Sequence, residues 1–439
     1  MAIYKIGGHV LPGYEAVYEA FESNFLKSRE SKSQLCAYVK GEKVVDLWGS
    51  IDGDTTYNGD SLQPVFSSTK NLSALAIAWC VDQGLLDYED PLLKHWPELK
   101  YKENMKVCDV LRHESGLHKL SKGLTPTDLQ RSNIKNNSIG QVIEMELQEF
   151  PESSKRCYHT MTRGWILNEL FRRVHPDKLT IGEFLRKEFS AEPFKADVHI
   201  GFESDSDPSY ENIFELDVLG VGSTMFQTCL PTFSKFKRVD LNPIQFITKV
   251  NNVRKRIKES NNQEKPEDIL LENVGKFSFS DRCLIFNKKE LRTGEVPSAN
   301  GTCSARGLGK IASILASKGS HDGKQFLSKE TWTKMHSAPT KEWDALLGFS
   351  TRFTLGGVSQ FTIEKSKNPD LEIVSKNRDG FYGWMGFGGS VFQWEPEKEI
   401  GFAYVPTFLE WYDMLNTKGS VLQKTVVECV EALNKSDSL

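Results

Sequence analysis

The sequence predicts a mixed α/β (α+β) fold, an antiparallel sheet built from both termini, flanked by helices, with a helical lobe inserted between them. Three observations predict it. Strand-like runs gather near the two ends, at residues 35–39 and 43–49 and again at 347–353, 389–394 and 400–405. The stretch from about 104 to 290 reads as helical and polar. Helical patterns at 15–27, 72–81 and 421–433 bracket the strand runs. This order places an α/β lobe at residues 1–103 and 291–439 and a helical lobe at 104–290, within one domain spanning 1–439.

Each element has a local cause. Val17, Tyr18, Phe21 and Phe25 recur at helical spacing and mark an amphipathic helix. Residues 35–39 and 43–49 flank Lys40-Gly41-Glu42, a short glycine turn, which predicts a β-hairpin with a partly buried face. A polar turn (Asn58, Gly59, Asp60) and Pro64 end that extended region. Leu72, Leu75, Ala76, Ile77, Trp79 and Cys80 then form a dense apolar run, read as a buried helix closing near Gly84. A short helix over 106–112 runs into His113-Glu114-Ser115-Gly116-Leu117, and Trp165, Ile166, Leu170 and Phe171 give a helix over Thr162–Val174. Thr180 and Glu183 have capping-box spacing ahead of Phe184 and Leu185. The charged stretch 254–265 reads as an exposed insertion with a solvated face. Residues 395–398 supply the turn between the last two strand runs. There is no internal repeat at periods of 20–50 residues.

Composition narrows the class. With 39% hydrophobic and 26% charged residues and a net charge of -4, the chain reads as a globular protein with no expected nucleic-acid or membrane partner. No apolar run approaches bilayer length. The first residues lack the basic and apolar regions of a signal peptide and are not Arg-rich. Eight scattered cysteines without a C-x-x-C pair suggest neither a zinc site nor a disulfide framework, so a cytoplasmic location is expected.

The chemistry concentrates at Val65-Phe66-Ser67-Ser68-Thr69-Lys70. Residues three apart share a helix face, which sets the Ser67 hydroxyl beside the Lys70 amine near the positive end of a helix. A serine becomes nucleophilic beside a base, and a desolvated lysine can serve as one. S-x-x-K alone is weak, since about two chance matches are expected in a chain of this length. Ser132/Lys135 and Ser234/Lys237 also match, but in polar segments with no buried helix behind them.

Further segments follow in order: 82–91, Leu111-Arg112-His113-Glu114-Ser115-Gly116-Leu117, Tyr158-His159, Pro297-Ser298-Ala299-Asn300-Gly301 and Gly386-Phe387-Gly388-Gly389-Ser390. Together with the S-x-x-K element they resemble the serine β-lactamase-like superfamily over roughly residues 15–430: class C β-lactamases, D-alanyl-D-alanine carboxypeptidases and S-x-x-K carboxylesterases. The resemblance implies a β-lactamase/transpeptidase-like fold, with Ser67, Lys70 and Tyr158 as the catalytic group. It implies that Tyr158 relays a proton, provided a neighbouring cation lowers its pKa. His159 is a candidate substrate contact, with a structural hydrogen-bonding role as the alternative. Backbone N–H groups of Ser67 and Phe387 are implied as the oxyanion hole.

Two positions depart from the β-lactamase pattern. Trp384-Met385-Gly386 stands where K-T-G is expected, and Thr160 replaces the asparagine of Y-x-N. Tryptophan lacks the ammonium that grips a substrate carboxylate, so Trp384 in that place implies a site for neutral, apolar-flanked substrates, with an aromatic that simply packs at a strand edge as the alternative. The expected function is therefore that of a serine hydrolase working through an acyl-enzyme on a small-molecule or peptide ester or amide. Neither metal nor organic cofactor is required, and no feature specifies an oligomeric state. A catalytically weak scaffold or interaction protein is the alternative that the two departures raise. His113-Glu114 with His118 misses the H-E-x-x-H spacing, so no zinc-protease site is offered.

Overall fold

The computed structural model describes residues 4–27, 30–100, 102–152, 154–190, 192–231, 239, 241–260, 279–363 and 374–436. A nine-stranded antiparallel sheet runs in the order β1-β3-β2-β14-β13-β12-β11-β10-β9. Its N-terminal strands are β1 (Lys5–Val10), β2 (Lys32–Val39) and β3 (Glu42–Ser50). Its C-terminal strands are β9 (Thr340–Asp344), β10 (Phe349–Phe353), β11 (Ser359–Gln360), β12 (Tyr382–Met385), β13 (Val391–Glu395) and β14 (Ile400–Pro406). The two groups join where β2 pairs with β14, with Ala37 opposite Phe402. The β2–β3 turn places Lys40 and Gly41 at φ 50° and 82°, the left-handed pair that suits a two-residue hairpin.

The hairpin is more deeply placed than its sequence suggests. Leu35, Ala37 and Val39 face a core shared with Phe21, Phe25, Leu422 and Val426, while Cys36 and Tyr38 face a second core with Ile311 and Leu315. The period of two is kept, but helices cover both faces. Helices α1 (Glu15–Leu26) and Thr417–Ser436 contact each other at the first core, and Ala305–Ala316 lies against β2, β13 and β14 at the second.

Helix α2 (Thr69–Asp82) is buried nearly all round, as its uninterrupted apolar run requires. It packs against Thr162–Val174 and Ile181–Phe189, the latter opened by the Thr180/Glu183 capping box. Small paired strands, β4 (Gln63–Pro64), β5 (Val198–His199) and β6 (Thr302–Cys303), tie the chain before α2 to distant segments. Of the expected charged insertion, residues 254–260 continue the helix Pro243–Ser260, and 261–265 lie outside the described residues. Among the described residues, no helix is long and apolar enough to cross a membrane.

Candidate active site

Ser67 lies in a single 3-10 turn, Phe66–Ser68, that leads directly into α2. Phe66 has φ 46°, a left-handed conformation that is strained for a bulky side chain. Surrounding bonds hold it there. Thr69 Oγ1 donates to the Phe66 carbonyl at 2.5 Å and accepts the Gly301 N–H at 2.9 Å. The Val65 N–H reaches the Gly301 carbonyl at 2.8 Å, and Ser390 Oγ donates to the Val65 carbonyl at 2.7 Å. Ser67 itself is half-buried and accessible.

One helical turn on, Lys70 is 3% exposed and its Nζ lies 3.3 Å from Ser67 Oγ. The same amine donates to the carbonyls of Thr160 at 2.7 Å and Ser298 at 3.0 Å. In a neutral amine two N–H bonds would satisfy these carbonyls, and the lone pair could accept the serine proton. Thr160 thus contributes its backbone carbonyl, not its side chain, to the lysine's surroundings. Arg163, fully buried, donates to the carbonyls of Lys70, Leu111 and Gly357 at 3.0–3.1 Å and places a second cation near the lysine.

Tyr158 completes the group, 5% exposed, with Lys70 Nζ 4.6 Å from its ring centroid. Its phenol hydrogen-bonds Ser67 and accepts the Trp384 indole N–H at 2.9 Å. Burial raises the phenol above its ordinary value, and the bonds from Ser67 and Trp384 and the Arg163 charge offset only part of that rise. The proviso that a neighbouring cation lowers the tyrosine is therefore not met. Desolvation wins, and Tyr158 stands as a neutral phenol able to pass a proton along rather than as a phenolate.

Trp384 is 5% exposed on β12, packed 5.3 Å from Phe353, with its N–H directed at Tyr158 rather than at a ligand. Gly386 follows where the strand end presses on the nucleophile turn: a Cβ there would stand 2.2 Å from both the Val65 carbonyl and Ser390 Oγ. Phe387, 37% exposed, begins a turn closed by the Gly389 N–H on the Gly386 carbonyl, and its ring lies 5.5 Å from that of Phe66. The Ser67 N–H in a first helical turn and the Phe387 N–H at a turn's second position both lack an acceptor within their own element. Such donors are suited to hold an oxyanion.

The structure brings Ser67, Lys70, Tyr158, Trp384, Gly386 and Phe387 together. His159 is the exception. It is fully buried, with Nε2 2.7 Å from Ser115 Oγ and Nδ1 2.6 Å from the Cys157 carbonyl, so both nitrogens are engaged and it takes the structural role. Sequence reasoning missed the contacts of Ser298 and Arg163 with Lys70, although Ser298 lies in a segment that carried the resemblance. The decoy Lys135 pairs with Glu183 at 2.7 Å on the surface, and Ser234/Lys237 lies outside the described residues. Among the described residues, no cluster of His, Cys, Asp or Glu could hold a metal ion.

An accessible serine with a buried lysine at its side and a phenol within reach is chemically suited to acyl transfer. The chain belongs to the Beta-lactamase family, whose model matches residues 21–418. Esterase/beta-lactamase LipL of Mycobacterium tuberculosis is 27% identical over 418 residues, covering 91% of this chain and 82% of that protein. A penicillin-binding protein homologue from Caulobacter crescentus has the same fold, with a TM-score of 0.72 at 24% identity over 97% of this chain and 100% of the other. A family VIII carboxylesterase superposes with a TM-score of 0.72 at 20% identity, again over 97% and 100% of the two chains.

Proposed function

We propose that the chain is an esterase-like serine hydrolase that forms an acyl-enzyme on Ser67 and prefers small neutral esters. The observation that carries this reading is the contact of Lys70 Nζ with Ser67 Oγ at 3.3 Å inside a buried site. Ser67 attacks the carbonyl and its proton passes to Lys70. The N–H groups of Ser67 and Phe387 hold the developing oxyanion. The alcohol leaves with a proton relayed through Tyr158, and a water activated by the same pair releases the acid. The name of the Mycobacterium tuberculosis relative, which joins esterase and β-lactamase, agrees with this class.

Substrate preference follows from Trp384. Its N–H is engaged by Tyr158 and no ammonium replaces the K-T-G lysine, so a substrate carboxylate loses a charge-assisted partner there. Neutral short-chain esters are therefore expected to exceed penicillins and cephalosporins in kcat/KM. The test compares p-nitrophenyl esters with a chromogenic cephalosporin on the purified protein, and preference for the cephalosporin would return the chain to the lactamase branch. Eight unpaired cysteines, seven of them buried, fit a reducing compartment such as the cytoplasm.

A further inference from the structure

Tyr158 occupies a segment with neither helix nor strand, which carries an isolated bridge between Arg156 and Asp344. In regular structure the backbone supplies its own acceptors. Here three consecutive amides are caught one at a time: Cys157 N–H by the His113 carbonyl at 3.0 Å, Tyr158 N–H by Asp344 Oδ1 at 3.1 Å, and His159 N–H by His113 Nδ1 at 2.9 Å. Two of the three acceptors are side chains. The His113 ring also lies 4.5 Å from the Tyr158 ring, so one residue braces both the backbone and the phenol.

We propose that Asp344 and His113 are positioning residues that hold the Tyr158 phenol in register with Ser67 and Lys70. This rests on the reading of Tyr158 as the proton relay. Both residues are fully buried and are themselves fixed. Asp344 Oδ1 also accepts the Leu346 and Leu347 N–H groups at 3.0 Å, in the turn that ends β9. Arg156 secures the same junction, its carbonyl taking the Ala345 N–H at 3.0 Å and its guanidinium pairing with Glu114. His113 sits at φ 65°, a conformation that few side chains accept. A buried carboxylate is unfavourable unless its bonds require it. Burial moves the Asp344 carboxyl up to about 6, and Oδ2 has no hydrogen-bond partner among the described residues. Space-filling alone would be better served by an apolar side chain, so the three amides, Tyr158's among them, account for an aspartate here.

The test pairs a variant that removes each acceptor with one that keeps it. Asp344→Ala loses Oδ1, whereas Asp344→Asn retains an amide oxygen. His113→Leu loses Nδ1, whereas His113→Asn keeps an oxygen near that place and tolerates the left-handed backbone. With a p-nitrophenyl ester, both removals should lower kcat about 100-fold with little change in KM, the scale of a misplaced catalytic group. Both Asn variants should recover most of the loss. The double variant Asp344→Ala/Tyr158→Phe should be no slower than Tyr158→Phe alone, because the effect runs through the phenol. Independent, multiplying losses would overturn the proposal, as would a folded Asp344→Asn as slow as Asp344→Ala. If Asp344→Ala does not fold, the His113 pair decides by the same criteria. A Tyr158→Phe as fast as wild type would overturn the relay and the clamp together. A slow Tyr158→Phe beside a fast Asp344→Ala would overturn the clamp alone.

Discussion

The Ser67 turn and the Tyr158 segment reach one site by different means. Ser67 and Lys70 lie three residues apart, so helical geometry alone sets one beside the other, and Gly301, Ser390 and Ser298 only brace the turn and the amine from farther along the chain. Tyr158 has no such local support. Its backbone is held by Asp344, 186 residues away, and its phenol by Trp384, 226 residues away. The contact within the first half is set by local spacing, and that of the second by the completed fold. Changes at Asp344 or Trp384 should therefore act on the tyrosine before the serine–lysine pair.

The largest effect is expected within the local pair. Ser67→Ala should abolish hydrolysis of activated esters while leaving the fold intact, since a half-exposed serine in a first helical turn contributes at most about 1 kcal/mol. Circular dichroism and ester turnover check both parts, and undiminished turnover would move the nucleophile elsewhere. Lys70→Arg should lose about 100-fold or more in kcat without rescue at raised pH, because guanidinium stays protonated and cannot accept the serine proton. Near-wild-type rates would reduce the lysine to a fixed charge.

Smaller effects probe the non-local half. Asp344 has its carboxyl raised by burial from 3.8 to about 6, so the folded state binds its proton more readily than the unfolded state. The stability from this site is fully present below pH 4 and is lost as pH rises through 6. The urea-unfolding free energy of Asp344→Asn should therefore gain on wild type by about 2 kcal/mol between pH 4.5 and 7.5. An unchanged difference would mean that Asp344 ionises normally. Trp384→Phe keeps the aromatic packing but removes the donor to Tyr158. Loss of one neutral hydrogen bond, about 1 kcal/mol, should lower kcat about fivefold. No change in kcat would make the indole N–H a bystander.

The same contrast explains what the sequence disclosed. The Thr162–Val174 helix, the Thr180 capping box and the 35–49 hairpin were legible because their signals are periodic or local. β1 was not, since Gly7 and Gly8 dilute its pattern, and Gly383 obscures β12 in the same way. Burial of both hairpin faces depends on helices whose docking the alternation cannot show. At the site, the spacing of S-x-x-K gained meaning from the apolar helix behind it, while Tyr158 and Trp384 emerged only through family resemblance. The raised pKa of the Tyr158 phenol and the structural role of His159 share a cause. Both depend on how completely distant segments close over them, and on which neighbours take their polar atoms. Asp344 left no sequence signal, because an aspartate at a strand end most often means a turn.

The central claim, acyl transfer through Ser67, is tested most directly by mass spectrometry of enzyme quenched during turnover of a p-nitrophenyl ester. The predicted result is one acyl group per chain, mapped to the peptide carrying Ser67, and absent from Ser67→Ala. An acyl group on another residue, or steady turnover with no adduct and an equally active Ser67→Ala, would contradict it.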